Sequence, residues 1–171
     1  TVGALVIGII LGTLIAICKV IPHNNFITKA LDKIVSVYVA IFRGTPLTVQ
    51  LCIFYFIIFA GVTIINSDTH PYLIAVVGFG LNSAAYVSET IRAGILSVDK
   101  GQMEAGRALG LSYGKTMRSV IIPQAAKSII PPLGNEAITL VKDTSVALVI
   151  GVSEFFTAIR SIVAATYDVL T

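Results

Sequence analysis

Charged residues are scarce in this chain. Lys, Arg, Asp and Glu together make up 12% of its 171 residues, whereas 56% of the residues are hydrophobic. In a soluble domain the charged share is about a quarter. So low a charge, together with long apolar runs, excludes an ordinary soluble fold and indicates several membrane spans. We therefore predict an all-α membrane protein with four or five transmembrane helices.

The sequence also lacks the patterns of several kinds of functional site. The sequence has two cysteines, both in apolar runs, and two histidines, each isolated in a predicted loop: Cys18, Cys52, His23 and His70. Their spacing fits neither a metal site nor a disulfide, so we predict no metal and no catalytic residue. A GxxxxGK[ST] phosphate loop is absent, so any nucleotide has to be bound by another protein. The net charge of +3 is explained by short loops and gives no reason to expect nucleic acid.

The apolar runs predict one transmembrane domain over residues 1–171. We place the spans at residues 2–21, 34–60, 73–92, 128–143 and 145–165, with a polar cytoplasmic loop at 93–127. The first span carries three glycines expected at close helix contacts: Gly3, Gly8 and Gly12. The last stretch holds Glu154 and Arg160 and is too charged for a simple span, so we expect it to be broken or re-entrant. Because no closing span follows, we expect the chain to be truncated at one or both ends.

The polar loop predicts two short helices on the cytoplasmic side. Six of the twelve Lys and Arg residues lie from Arg92 to Lys127, and cytoplasmic loops are where these residues concentrate. We place the first helix at Gln102–Leu109, with Gly110 in the left-handed position that follows a helix. Ser112 is the predicted cap of a second helix, which runs to about residue 122 and into a proline.

The first of these helices carries an apolar strip. Ala105, Ala108 and Leu109 lie together, rimmed by charge. Such a strip suits a groove on another protein. The alternative is a solvated basic loop without a partner.

Two other predicted spans have polar faces. Asn82, Tyr86 and Glu89 share one face of the third span, and Glu89 is placed to pair with Arg92. The fourth span has a similar face: Asn135, Glu136, Thr139 and Asp143. Acidic side chains are costly in lipid, so they are expected to face protein, water or a cation. An amino-acid ammonium group would supply that cation; helix–helix hydrogen bonds and ion bridges are the alternatives.

The second span is interrupted at Arg43-Gly44-Thr45-Pro46. Thr45 could cap a new helix that begins with Pro46. Helix N-termini attract anions, so this break is a candidate site for a substrate carboxylate. A proline kink with Arg43 reaching the membrane surface is an equally good interpretation. Lys19, near the end of the first span, can reach the surface in the same way.

The polar loop resembles the EAA signature of permease subunits in bacterial ABC importers. Glu104-Ala105-Gly106, Gly110 and the run at 120–123 keep the full spacing of that signature. Gly106 stands where the signature has Ala, and Val120 and Ile122 replace Ile and Leu. The segments RGTPLTVQL at 43–51, NSAAY at 82–86 and KDTS at 142–145 are similar to segments of the polar-amino-acid permeases.

The resemblance implies a type I ABC importer permease core with cytoplasmic coupling helices, in a bacterial plasma membrane. It implies three protein partners: an ABC ATPase subunit that binds the ATP, a second permease subunit in a homo- or heterodimer, and an extracytoplasmic amino-acid-binding protein. The expected ATPase-coupling residues are Glu104, Ala105, Gly106, Gly110 and Leu111. The expected substrate-binding residues are Thr45, Asn82, Tyr86, Glu136 and Asp143. The chain itself is then not an enzyme and has no cofactor.

The substrate and the transport mode have alternatives. Two acids within the spans favour an amino acid with a basic side chain, while glutamine, glutamate and cystine remain open. An ion-coupled carrier or passive channel would use Glu89, Glu136 and Asp143 for ions or protons. A third possibility is a partner subunit in a heterodimeric permease that binds no substrate itself.

Overall fold

The computed structural model describes residues 1–22, 25–59, 70–152 and 155–166, and every regular element in these ranges is helical. The α-helices in chain order are α1 Val2–Val20, α2 Phe26–Gly44, α3 Leu47–Ile53, α4 His70–Leu96, α5 Lys100–Ala108, α6 Tyr113–Thr116, α7 Ile122–Asp143 and α8 Phe155–Thr166. Two π-helical turns extend this set, Phe54–Ile58 after α3 and Met117–Ile121 between α6 and α7, and a 3₁₀ helix at Thr144–Ile150 follows α7. The predicted all-α fold is confirmed.

Two of the described helices are long and apolar enough to cross a membrane, α1 and Pro71–Leu96 of α4. The pair formed by α2 and Leu47–Ile58 is bent by 110° and would be a third span if it crosses as one unit. Helix α7 has 22 residues, but it carries charge on its polar face. By length and apolarity the described residues therefore supply two or three of the four or five predicted spans.

Helices α1 and α4 form the most extensive contact in the fold. The predicted glycines lie at this contact: an added Cβ at Gly8 would come within 2.7 Å of Ser83 Oγ, and one at Gly12 within 2.6 Å of Val87 Cγ1. Small residues allow helix backbones to approach this closely in a membrane. The α1–α4 pair thus depends on glycine at these two positions.

The distribution of polar and apolar side chains suits a lipid environment. Gln50, Ser83 and Ser88 are buried. One face of α1 exposes a row of large aliphatic side chains: Val6, Ile10, Leu14 and Ile17. A water-soluble domain would bury such a row, whereas a membrane protein can present it to lipid or to another subunit.

The second predicted span differs from the structure at its start and at its break. Helix α2 begins at Phe26, not at residue 34, and Asn25 N–H donates to Thr28 Oγ1 at 3.2 Å at that start. Thr45 does not cap α3, because its hydroxyl donates back to Ile41 O at 2.8 Å, a bond that Thr forms readily to the preceding turn. Pro46 precedes Leu47, the first residue of α3, and is not itself the first helical residue.

The second loop helix does not end near residue 122 as predicted. Helix α6, the π turn and α7 follow one another without a break from Tyr113 to Asp143, so this helix continues into the predicted fourth span. Pro123 follows the π turn Met117–Ile121 almost directly, and both features are places where the regular helical hydrogen-bond ladder is interrupted. Pro131 and Pro132 lie inside α7, as prolines do in membrane helices where neighbours satisfy the freed carbonyls.

The stretch at 145–165 is broken, as predicted. Gly151 ends the 3₁₀ helix with a φ of 81°, and α8 begins at Phe155. Val152 N–H donates to Ala147 O and Gly151 N–H to Leu148 O, which satisfies the last carbonyls of the helix. Glu154 lies outside the described residues.

Candidate solute cavity and coupling surface

A cavity of about 460 Å³ lies between the α2–α3 break, α4 and α7. Its lining residues are Arg43, Gly44, Thr45, Pro46, Leu47, Asn82, Tyr86, Glu136, Thr139 and Asp143. The structure therefore brings all five predicted substrate-binding residues to one place, although they come from three separate stretches of sequence. The volume lies within the ~300–1,000 Å³ typical of small-ligand sites. Their role in binding a substrate remains a prediction.

A hydrogen-bond network centred on Gln50 holds the break in shape. The buried Gln50 amide donates to Phe42 O at 2.9 Å, Thr45 O at 3.0 Å and Thr45 Oγ1 at 2.8 Å. Its side-chain oxygen accepts from Asn82 Nδ2 at 3.0 Å. Asn82 thus fastens α4 to the α2–α3 break as well as lining the cavity. The role of Gln50 is not evident from the sequence, because it depends on the bend between α2 and α3 and on Asn82, which lies 32 residues away.

The two sides of the cavity carry opposite charges. Helix α7 supplies Glu136 and Asp143, and the Ser83 hydroxyl of α4 lies within hydrogen-bonding range of the Glu136 carboxylate. The α2–α3 break supplies Arg43, whose Cζ lies 5.4 Å from the centre of the Tyr86 ring. Arginine stacks on aromatic rings in this way. The arrangement can hold a small molecule that carries both charges.

Glu89 does not line the cavity, although it shares a helix face with Asn82 and Tyr86. It accepts from Lys19 Nζ at 2.5 Å and pairs with Arg92 at 3.5 Å and Arg43 at 3.9 Å. The predicted pair with Arg92 is confirmed. The Lys19 ammonium group, which the sequence allows to reach the membrane surface, binds Glu89, and its side chain is 12% exposed.

The coupling loop begins and ends with local capping motifs. The Asp99 side chain accepts from Gly101 N–H at 2.7 Å at the start of α5. At its end Gly110 has the predicted left-handed conformation, with a φ of 79°. Leu111 N–H donates to Gly106 O and Gly110 N–H to Arg107 O, the two bonds of a Schellman motif. The Ser112 hydroxyl accepts from Lys115 N–H at 3.3 Å, so the predicted cap of the second helix is confirmed.

Three of the five predicted coupling residues are exposed on α5 or just beyond its end. They are Glu104 and Ala105 in α5 and Gly110 after it. Leu109, the C-cap of α5, is 81% exposed, so this part of the loop presents both an apolar side chain and a carboxylate. Leu111 is half-buried.

Gly106 is buried, unlike the other predicted coupling residues. It lies against Thr116, and an added Cβ would overlap Thr116 Cγ2 and lie 2.9 Å from its Oγ1. Its contribution is to let α5 lie close to α6, so it positions the coupling surface.

The inner face of α5 rests on the ends of the long helices. Val20 of α1, Ile95 of α4 and Met103 of α5 line one small cavity of about 230 Å³ together with Tyr113 and Met117. Gln124 Nε2 also donates to Gln102 Oε1 at 3.3 Å, which joins α7 to α5. The Gln102–Gln124 bond therefore ties α5 directly to α7, and the ends of α1 and α4 lie across the small cavity from it.

The chain is similar to known transport proteins over nearly its whole length. Residues 5–169 match the family described as binding-protein-dependent transport system inner membrane component. The arginine transport system permease protein ArtQ of Bacillus subtilis is 44% identical over 96% of this chain and 72% of its own length. The putative glutamine transport system permease protein GlnP of Rickettsia prowazekii is 41% identical over 98% and 73%. The L-cystine transport system permease protein TcyB of Bacillus subtilis is 43% identical over 98% and 70%.

A solved structure supports the same assignment. A crystal structure described as an amino acid ABC transporter with histidines superposes with a TM-score of 0.83, at 38% identity, over 98% of this chain and 74% of that one. The agreement covers the fold as well as the sequence.

Proposed function

We propose, from the premise that this chain belongs to the family of binding-protein-dependent transport system inner membrane components, that it carries a polar amino acid across a bacterial plasma membrane at the expense of ATP bound by a partner. Its relatives are amino-acid ABC transporter permeases, and the chain is a membrane subunit of that kind. The substrate, the partners and the energy coupling are the parts proposed here.

The observation that carries the proposal is the convergence of polar residues on one cavity. Thr45, Asn82, Tyr86, Glu136 and Asp143 all line it. Burying acids in a membrane helix is costly unless they meet a cation, and the ammonium group of an amino acid is such a cation. The cavity has two acids on α7, Glu136 and Asp143, and the hydrogen-bonded α2–α3 break on another wall. This arrangement fits a zwitterion better than it fits a neutral solute.

The proposed coupling surface is the exposed face of α5. A cleft on an ATPase subunit would receive Leu109 and Ala105, while Glu104 makes the polar contact at its rim. Closure of two such ATPase subunits around ATP would push α5, which is hydrogen-bonded to α7 and lies near the ends of α1 and α4. The cavity then opens outward to accept the amino acid from an external binding protein, and release of ADP reverses the change. This scheme requires that the ATP-bound partner favours one of two bundle conformations.

The partners follow from this scheme. They are an ABC ATPase, a second permease subunit, identical or homologous, and an extracytoplasmic binding protein. The related permeases are named for arginine, glutamine and cystine. Two acids in one cavity favour a substrate with a second positive charge, so we place arginine or histidine ahead of glutamine.

The test is transport by the full-length protein purified from membranes with the subunits that it retains. In liposomes, uptake of labelled arginine, histidine, glutamine or cystine should require ATP and the binding protein. Glu136→Gln and Asp143→Asn should lower binding of the preferred amino acid about tenfold, the effect of losing one charge-assisted contact. Uptake that continues without ATP would instead support an ion-coupled carrier or channel.

A matched control separates binding from coupling. Glu104→Gln makes the same chemical change as Glu136→Gln, but on the exposed surface of α5. Amino-acid binding should be unchanged in this variant. Full uptake in both cavity variants, with assembly intact, would show that this chain holds no substrate and serves as the non-binding partner in a heterodimer.

A further inference from the structure

Arg43 is the one cationic residue among those that line the cavity. Its side chain is 45% exposed, and its guanidinium group stacks over the Tyr86 ring. Glu136 and Asp143 supply negative charge from α7. The cavity therefore has a positive side at the end of α2 and a negative side on α7.

The Arg43 charge is weakly neutralised by the protein itself. Its Nη1 lies 3.9 Å from Glu89 Oε2, near the limit of an ion pair. Glu89 makes its shortest contact with Lys19, at 2.5 Å, and a further one with Arg92, at 3.5 Å. Three cations share the Glu89 carboxylate, so the cluster keeps an excess of positive charge. Arg43 is the member of the cluster that lines the cavity.

We propose that Arg43 determines specificity by binding the carboxylate of the substrate, and that Lys19 keeps Arg43 available by occupying Glu89. This inference rests on the proposed function. A guanidinium group binds a carboxylate through two parallel hydrogen bonds, which no other side chain reproduces. The substrate class is then a solute with a free carboxylate and a cation, and an amine that lacks the carboxylate is rejected.

Lys19 has a distinct role in this arrangement. It does not line the cavity, and its side chain is 12% exposed. Without Lys19, the Glu89 carboxylate keeps only Arg43 and Arg92 as partners and attracts both more strongly. Arg43 would then turn from the cavity towards Glu89, and substrate affinity would fall although no cavity residue has changed.

The test compares acids with their decarboxylated amines on the purified full-length transporter. The pairs are L-arginine with agmatine and L-histidine with histamine, measured by equilibrium binding. Wild-type protein should bind the acid of its preferred pair about tenfold more tightly than the amine. Arg43→Gln should lower affinity for the acid by that factor and leave the amine unchanged, so that the discrimination disappears.

The control is Arg118→Gln, which makes the same substitution at an exposed arginine of the π turn, away from the cavity and from Glu89. It should keep the discrimination. Arg43→Gln protein that still prefers the acid, or an equal loss in Arg118→Gln, would overturn the role of Arg43. Wild-type protein that binds neither acid nor amine, nor glutamine nor cystine, would instead contradict the proposed function.

The role of Lys19 is tested by Lys19→Met and by the double variant Lys19→Met/Glu89→Gln. The single variant should lose about threefold or more in affinity for the acid, an indirect effect smaller than that of Arg43→Gln. The double variant should recover it, because no negative charge then competes for Arg43. Recovery also shows that the single variant is folded. A single variant with wild-type affinity, or a double variant that recovers none, would contradict this role.

Discussion

Gly106 of α5 and Thr116 of α6 are packed so closely that a Cβ on the glycine would overlap Cγ2 of the threonine. Thr116 is fully buried, and its hydroxyl donates to Ser112 O at 3.1 Å. The threonine is therefore held on one side by its own helix turn and cannot easily move. The angle between α5 and the helix that continues into α7 depends on this pair.

Gly106→Ala should consequently destabilise the protein by about 1–3 kcal/mol, the range of an overpacked contact. Thr116→Ala removes the methyl group and the hydroxyl that the new Cβ would meet. In the double variant part of the loss should be recovered, so the two substitutions should be non-additive by more than about 0.5 kcal/mol. Thermal unfolding of the purified protein in detergent gives the three differences. Additive effects would show that the two side chains do not constrain each other.

Gly110 should resist substitution for a different reason. Its φ is 79°, which favours glycine, yet no heavy atom lies within 4 Å of where a Cβ would be. Gly110→Ala should therefore cost about 1 kcal/mol through backbone strain alone. Gly114, in α6, has equally open surroundings and an ordinary helical backbone. Gly114→Ala should be neutral or stabilising by up to about 1 kcal/mol, and equal losses at both positions would contradict the strain argument.

Glu104→Lys should separate ATP hydrolysis from transport. The Glu104 side chain is exposed, so reversing its charge should leave folding and membrane insertion intact while weakening a polar contact at the proposed ATPase surface. Amino-acid uptake should fall at least about tenfold, and stimulation of the ATPase by the binding protein should be lost. The control is Lys127→Glu, an exposed charge reversal on α7. Normal stimulated ATPase activity in Glu104→Lys protein would contradict the docking assignment.

Gln50→Leu should loosen the α2–α3 break. The substitution keeps the approximate side-chain size but removes the donor to Phe42 O and Thr45 O and the acceptor for Asn82. Leaving such groups unpaired costs about 1–3 kcal/mol. Gln124→Leu is the matched control, since this glutamine is exposed and its bonds to Gln102 and Val120 can be replaced by water. Unfolding temperature and amino-acid affinity should both fall in Gln50→Leu only.

The sequence was informative where structure follows from local chemistry. Gly110 and Ser112 were predicted correctly because a left-handed glycine and a serine cap act within a few residues. The polar faces of α4 and α7 were found because acids and amides are expensive in lipid, which leaves few places for them to lie.

The interactions that depend on tertiary contacts were not predictable. The partners of Lys19 and Gln50 lie 70 and 32 residues away in sequence, in Glu89 and Asn82. The contact that buries Gly106 against Thr116 is likewise invisible in the spacing of the signature. The sequence also does not show that a carboxylate of α4 lies beside Lys19.

Proline suggested a helix end that the structure does not have. The second loop helix was predicted to run into Pro123, yet the helix continues through it to Asp143, with Pro131 and Pro132 inside α7. Neighbouring groups can satisfy the carbonyls that prolines leave free in a membrane helix.

The glycine contacts between α1 and α4 have a mechanical consequence. Ser83 and Val87 occupy the space that side chains at Gly8 and Gly12 would need, so neither helix can slide or roll without a collision. The two helices therefore move as one rigid pair. Any change in the shape of the cavity must then come from its other walls, the α2–α3 break around Gln50 and the face of α7 that carries Glu136 and Asp143. On this geometry the two acids move towards or away from Asn82 and Tyr86, which stay fixed on the α1–α4 pair.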